Sequence, residues 1–110
     1  MSVGSILRAA LGGALVINAV PHGVSGVQGK PFPTPFSDPP GVADSPPLVN
    51  VGWSAANAIA GAVLLPKRDR STAELIAVFV GAITAAAVVS YHFGEVRQGR
   101  AGLRGRGIRN

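Results

Sequence analysis

The stretch "AELIAVFVGAITAAAVVSYHF", residues 73–93, carries one charged side chain, Glu74, at its edge. As a helix it is long enough to cross a hydrocarbon core of about 30 Å, which takes about 17–25 residues. A helix of a small soluble bundle keeps one face to water and shows a charged stripe there. This run has none. Its small and weakly polar residues, Gly, Ser and Thr, are the types that mediate helix contacts inside bilayers.

The same reading extends towards the N-terminus. Residues 48–65 hold no charge, and residues 3–20 are interrupted only by Arg8 and Asn18. Both runs have spanning length. Alanine is nearly neutral for insertion, so residues 48–65 are the least apolar of the three. The expected fold is all-α: a three-span transmembrane helical bundle with helices at about 3–22, 48–65 and 72–93. These would form a membrane domain over residues 1–94, followed by a basic Gly/Arg tail at 95–110. A signal-peptide reading of the first run places Arg8 before an apolar stretch at 9–20. Pro21 and His22 stand where a small-residue cleavage site would fall, so an uncleaved anchor is expected.

Composition fits a membrane protein. The chain has 110 residues, enough for one domain. It is 47% hydrophobic but 14% charged, against about 25% charged in soluble domains. There is no cysteine, which excludes disulfides, thiolate metal sites and cysteine nucleophiles. The net charge of +5 is concentrated in the tail, where Arg97, Arg100, Arg104, Arg106 and Arg109 have no acid among them. Arginine outnumbers lysine, which hints at a GC-rich bacterial genome.

Boundary signals are clear. Pro46 and Pro47 precede the second run, in keeping with proline's tolerance in a first helical turn. Pro66 closes it, because the residue before a proline avoids helical geometry. Ser71 and Glu74 have the spacing of a capping box, so the third helix should begin at about Thr72. Gly94 is the expected C-cap. The tail beyond it has no apolar periodicity and is expected to be disordered in isolation. Between the first two helices, residues 26–47 form a proline-rich loop. Prolines at 31, 33 and 35 favour extended, polyproline-like backbone. Phe32 and Phe36 are placed to cover helix ends or to lie at the interface.

Three spans put the end of the first helix, the start of the second and the end of the third at one membrane face. Asn18, His22, Asn50, Trp53 and His92 therefore form a candidate polar cluster beneath the proline loop, with Tyr91 at the same depth. Asn18 and His22 are four apart and share a helix face. Pro21 frees the carbonyl of Ile17, and such groups in membrane helices are met by side chains or water. Asn50, Trp53 and Asn57 make a stripe on the second helix. The plain reading of the cluster is a kinked helix end with polar and aromatic belt residues at headgroup level. Two histidines could in principle hold a haem or a metal, but no carboxylate lies inside the spans to support one, so no cofactor or metal is expected. No nucleophile elbow, phosphate loop or carboxylate pair is present, and enzymatic activity is not expected. Gly12, Gly13, Ala56, Ala60, Gly81 and Ala85 are small residues at packing positions. The five tail arginines are candidate contacts for anionic lipid, at about 1 kcal/mol each near an anionic surface. They lack the stacking aromatics of nucleic-acid binders.

"NAVPHGVSGVQGKPFPTPF" followed by "SPPLVNVGW" resembles a group of short bacterial integral membrane proteins of unassigned activity. Their pattern is N-x-x-P-H closing the first helix, then F-P-x-P-F, then S-P-x-x-N-x-x-W opening the next. Asn18, Pro21, His22, Phe32, Pro33, Pro35, Phe36, Ser45, Pro46, Asn50 and Trp53 match. The spacing around Pro46 and Pro47 is one residue longer than in the tightest form, and Gly23 replaces a bulkier residue. The resemblance covers roughly residues 6–65 and implies a multi-pass protein of the bacterial cytoplasmic membrane, without supplying an activity. The expected role is structural or accessory, through association with lipid, other membrane proteins or a second copy. The alternative is a small transport or redox-related protein using the Asn/His cluster. The positive-inside rule sets Arg8 and the 66–71 hairpin against Lys30 and the tail. By count the tail side favours an N-terminus outside, but the first helix usually dominates and the hairpin charges lie close to both helix ends, which gives an N-terminus inside.

Overall fold

The computed structural model describes residues 2–67 and 69–104, for Arg104 the backbone alone. It contains three long helices, α1 (Val3–Val27), α2 (Pro47–Leu64) and α3 (Thr72–Arg97). A two-stranded antiparallel ribbon, β1 (Phe32–Pro33) with β2 (Asp44–Ser45), lies in the proline loop, and a 3-10 turn (Gly102–Arg104) follows α3. All three helices are long and apolar enough to cross a membrane. At about 1.5 Å per residue, even α2 reaches about 27 Å, close to a hydrocarbon core.

The helices lie side by side with α1 in the middle. It packs along both neighbours, while α2 and α3 make almost no contact with each other. The chain measures 49 × 28 × 17 Å, a slab little more than one helix thick. Small residues allow the close approach. A Cβ on Gly81 would run into the carbonyl of Ala10, and one on Gly13 into the carbonyl of Val78, so the α1–α3 crossing excludes any side chain there. Gly12 and Gly61 face each other's backbones across α1 and α2 in the same way. Ala56 and Ala60, by contrast, are exposed on the far side of α2.

Each helix start follows from local chemistry. In α1, the Ser5 N–H donates to Ser2 Oγ at 3.1 Å and the Ser2 N–H to Ser5 Oγ at 3.0 Å. In α3, the Glu74 N–H donates to Ser71 Oγ at 3.1 Å and the Ser71 N–H to Glu74 Oε1 at 2.7 Å. These reciprocal bonds satisfy donors that a helix N-terminus otherwise leaves unpaired. In α2, Pro46 is the N-cap and Pro47 the first helical residue, where a missing N–H costs nothing.

Two helix ends differ from the sequence reading. The first helix does not stop at residue 22: Pro21 lies inside α1, which continues to Val27. One missing N–H is a smaller loss than unwinding a turn at membrane depth, where backbone groups have no water to turn to. The segment past Pro21 is also held against α2, for a Cβ on Gly26 would press on Val51 and the Pro47 carbonyl. Likewise α3 passes Gly94 and ends at Arg97. Both helices then close with the same motif. Gly29 and Gly99 take φ of +72° and +78°. The Gly29 and Lys30 N–H groups donate to the Gly26 and Ser25 carbonyls at 3.0 and 2.9 Å, and the Gly99 and Arg100 N–H groups to the Val96 and Glu95 carbonyls at 3.0 and 2.9 Å. That left-handed residue is glycine because a Cβ is penalised there.

The tail also departs from the expectation of a disordered 95–110. Residues 95–97 continue α3, residues 98–104 fold back onto its end with Ala101 buried, and residues 105–110 lie outside the described residues. The proline loop is extended only over Phe32–Pro33, which pair with Ser45 and Asp44. Beyond them it turns back, with the Gly41 N–H donating to the Thr34 carbonyl at 2.8 Å. Buried Thr34 and Ser45 share a hydroxyl–hydroxyl bond of 2.6 Å that ties the loop's two arms together.

Candidate functional site

The end of α1, the start of α2 and the end of α3 meet under the proline loop. His22 and Asn50 form the innermost pair, with His22 Nδ1 2.8 Å from Asn50 Oδ1. The Asn50 amide nitrogen faces three carbonyls, those of Phe32, Ser45 and Pro46, at 2.9, 3.2 and 3.3 Å. Its NH2 must therefore be the donor end, which leaves the oxygen to accept and assigns the proton to His22 Nδ1. Asn50 is 0% exposed and thus joins α1, α2, β1 and the end of β2 from a fully buried position.

A second pair lies one turn deeper. Asn18 Nδ2 donates to Asn57 Oδ1 at 3.0 Å, and Asn57 Nδ2 donates to the Trp53 carbonyl at 2.8 Å. Between the two pairs, Ser54 Oγ donates to the Ala19 carbonyl at 2.7 Å. Asn50, Ser54, Asn57 and Gly61 recur at spacings of four, three and four, so one face of α2 carries the side chains that bond to α1, while the Arg8 guanidinium at the other end of α1 donates to the Val63 carbonyl at 3.0 Å.

His92 makes the third junction. Its Nε2 donates to the Gly41 carbonyl at 2.6 Å, and its Nδ1 accepts the Leu103 N–H at 3.0 Å. The ring therefore joins α3 to the proline loop and to the returning tail. A Cβ on Gly102 would strike this ring.

Aromatic rings close the site. The Phe32 and Phe93 rings meet His22 edge-on at 5.4 and 5.9 Å, and Trp53 does so at 6.5 Å. Phe32 is buried, whereas Phe36 is exposed and packs edge-on against Trp53 at 5.1 Å. The Arg97 guanidinium lies over the Phe32 ring, 5.4 Å from its centre. Such a contact contributes about 0.5–2 kcal/mol depending on desolvation. Arg100 pairs with Glu95 at 2.5 Å, and that bond raises the Arg100 pKa above its usual value.

Of the candidate cluster, Asn18, His22, Trp53 and His92 border a shared cavity of about 190 Å³, while Asn50 stands behind His22. Tyr91 is on the outside of α3. Of the candidate lipid contacts, Arg97 and Arg100 are engaged within the chain. Arg104 follows at the end of the turn, and Arg106 and Arg109 lie outside the described residues. Among the described residues, no group of three or more His, Asp or Glu side chains could hold a metal ion. Sequence reasoning missed Ser54, Phe93 and the docking of Gly102 and Leu103 on His92. The four–three–four spacing from Asn50 to Gly61 was the available signal for Ser54.

Comparison with protein-family models, with curated proteins and with solved structures finds no match to this chain.

Proposed function

We propose that this chain is a multi-pass protein of the bacterial cytoplasmic membrane with a structural or accessory role, not an enzymatic one. It acts by association with lipid and with other membrane proteins or a second copy of itself. One observation carries the reading. The bundle leaves the outer face of α2 uncovered, and there Ala55, Ala56, Ala58, Ala60 and Ala62 are exposed together with the larger Leu48, Ile59 and Val63. Ala56 and Ala60 have the spacing at which membrane helices approach closely. The basic residues beyond α3 suit an anionic headgroup layer. The polar pairs support the same role, since most of their donors and acceptors are engaged in joining helix to helix and loop.

Cysteine cross-linking in native membranes tests this, on a chain with no cysteine of its own. Ala56→Cys should form a disulfide-linked species of dimer mass or larger on mild oxidation. Ala87→Cys, equally exposed but on α3, should not. Monomer alone from both variants contradicts the reading.

A further inference from the structure

The cavity beside His22 is a site rather than a packing gap, on four observations. First, His22 is 2% exposed, yet only one of its nitrogens is bonded. Asn50 fixes a proton on Nδ1, so when the ring is neutral Nε2 presents a bare lone pair, and among the described residues no donor reaches it. Every fully enclosed side-chain nitrogen and oxygen among the described residues has a partner. Nε2 is therefore not enclosed by protein, and the cavity is the open space His22 borders. Second, Asn18 lines the same cavity, and its amide nitrogen is bound to Asn57. Its oxygen is a second acceptor, with no donor among the described residues. Third, the other walls are mostly apolar, with Trp53, Phe93, Pro33, Pro35, Val88 and Val89, and the polar side chains among them, His92 and Thr34, are already engaged: both His92 nitrogens with backbone and the Thr34 hydroxyl with Ser45 and the Phe36 N–H. Fourth, the space of about 190 Å³ lies below the roughly 300–1,000 Å³ of drug-sized pockets. It suits a single ring.

Two acceptors between aromatic and aliphatic walls select an uncharged donor. A cation is disfavoured, because among the described residues no carboxylate borders the cavity and the Arg97 guanidinium lies over the Phe32 ring that packs on His22. We propose that this cavity binds the hydroxyl-bearing ring of a lipid-soluble phenol or hydroquinone, with His22 Nε2 accepting the O–H. The ring would lie between Trp53 and Phe93. Asn50 acts as a positioning residue, holding the tautomer that leaves Nε2 free. The inference is independent of the association reading, since the cavity lies among the three helices under the loop and neither Ala56 nor Ala60 lines it.

The test uses the full chain in lipid nanodiscs under anaerobic conditions, titrated with trimethylhydroquinone and, separately, with its dimethyl ether. Trp53 is the chain's single tryptophan and borders the cavity, so its fluorescence reports occupancy. Saturable quenching by the hydroquinone is expected, with about tenfold or weaker binding of the ether, the loss that one hydrogen bond typically brings. His22→Asn keeps an amide N–H for Asn50 but has nothing at the Nε2 position, and should weaken hydroquinone binding by a similar factor. Val89→Phe fills the cavity without touching either polar pair, and should abolish saturation even if His22→Asn fails to fold. An isoprenyl-tailed homologue distinguishes a ligand drawn from the bilayer, which binds more tightly than the tailless probe, from one drawn from water, which does not. Equal binding of hydroquinone and ether, unsaturable quenching, or full binding by Val89→Phe would each overturn the proposal.

Discussion

At the residue scale, Asn50 is the side chain on which most depends. It is fully buried and carries four bonds, three of them to backbone carbonyls of the loop and helix start. Removing it leaves the His22 N–H without its acceptor and takes a donor from each carbonyl, of which that of Pro46 keeps the backbone N–H at position 50. A buried group left without its partner costs on the order of 1–3 kcal/mol. Asn50→Ala should therefore lower stability in detergent by at least that amount, read by reversible denaturation. A double-mutant cycle refines the point. His22→Ala and Asn50→Ala should couple by about 0.5–3 kcal/mol, because they remove the same bond. Asn18→Ala and His22→Ala should couple less, since their partners are Asn57 and Asn50 respectively. Coupling in the opposite order would break the assignment of two separate pairs. The residue types were legible in the sequence, because Asn and His at a span's end have few roles other than bonding across helices. Which partner each takes was not legible. That depends on helix rotation, and on a face of α2 whose Ser54 and Gly61 look unremarkable alone.

At the element scale, the three runs were readable because uncharged stretches of spanning length have few alternatives. Their ends were read less well. Pro21 and Gly94 are strong local breakers, yet both lie inside helices. The stops are instead the dipeptides Gln28–Gly29 and Gln98–Gly99, each followed by a basic residue. A proline's lost bond is local, whereas a helix in lipid continues until its carbonyls find partners, and the closing glycines provide them. The crossings are set by glycine in the same way. Gly81→Ala places a methyl group against the Ala10 carbonyl and should force α1 and α3 apart, at about 1–3 kcal/mol of stability. Gly94→Ala meets nothing nearby and should be neutral or stabilising by up to about 1 kcal/mol, as helix propensity alone predicts. Thermal melts of the two variants in one detergent compare them directly. Equal effects would show that the α1–α3 contact is not close-packed.

At the scale of the whole molecule, the arrangement is a slab with α1 between α2 and α3, and one end closed by the proline ribbon and the returning tail. A chain with three spans must bring the ends of α1 and α3 to the start of α2. That alone placed Asn18, His22, Asn50, Trp53 and His92 at one face before any contact was known. The fold-back of residues 98–104 was not legible, because the Gly/Arg composition signals disorder and the ring it docks on, His92, is itself tied to the Gly41 carbonyl, 51 residues away. The central claim is this three-span topology with the loop and tail together at one face. Single cysteines at Ser2, Ser37, Lys67 and Gln98, labelled with a membrane-impermeant maleimide in oriented vesicles, test it most directly. Ser37 and Gln98 should label from one side of the membrane, and Ser2 and Lys67 only from the other. Labelling of all four from a single side, or of Ser37 and Gln98 from opposite sides, would contradict the account.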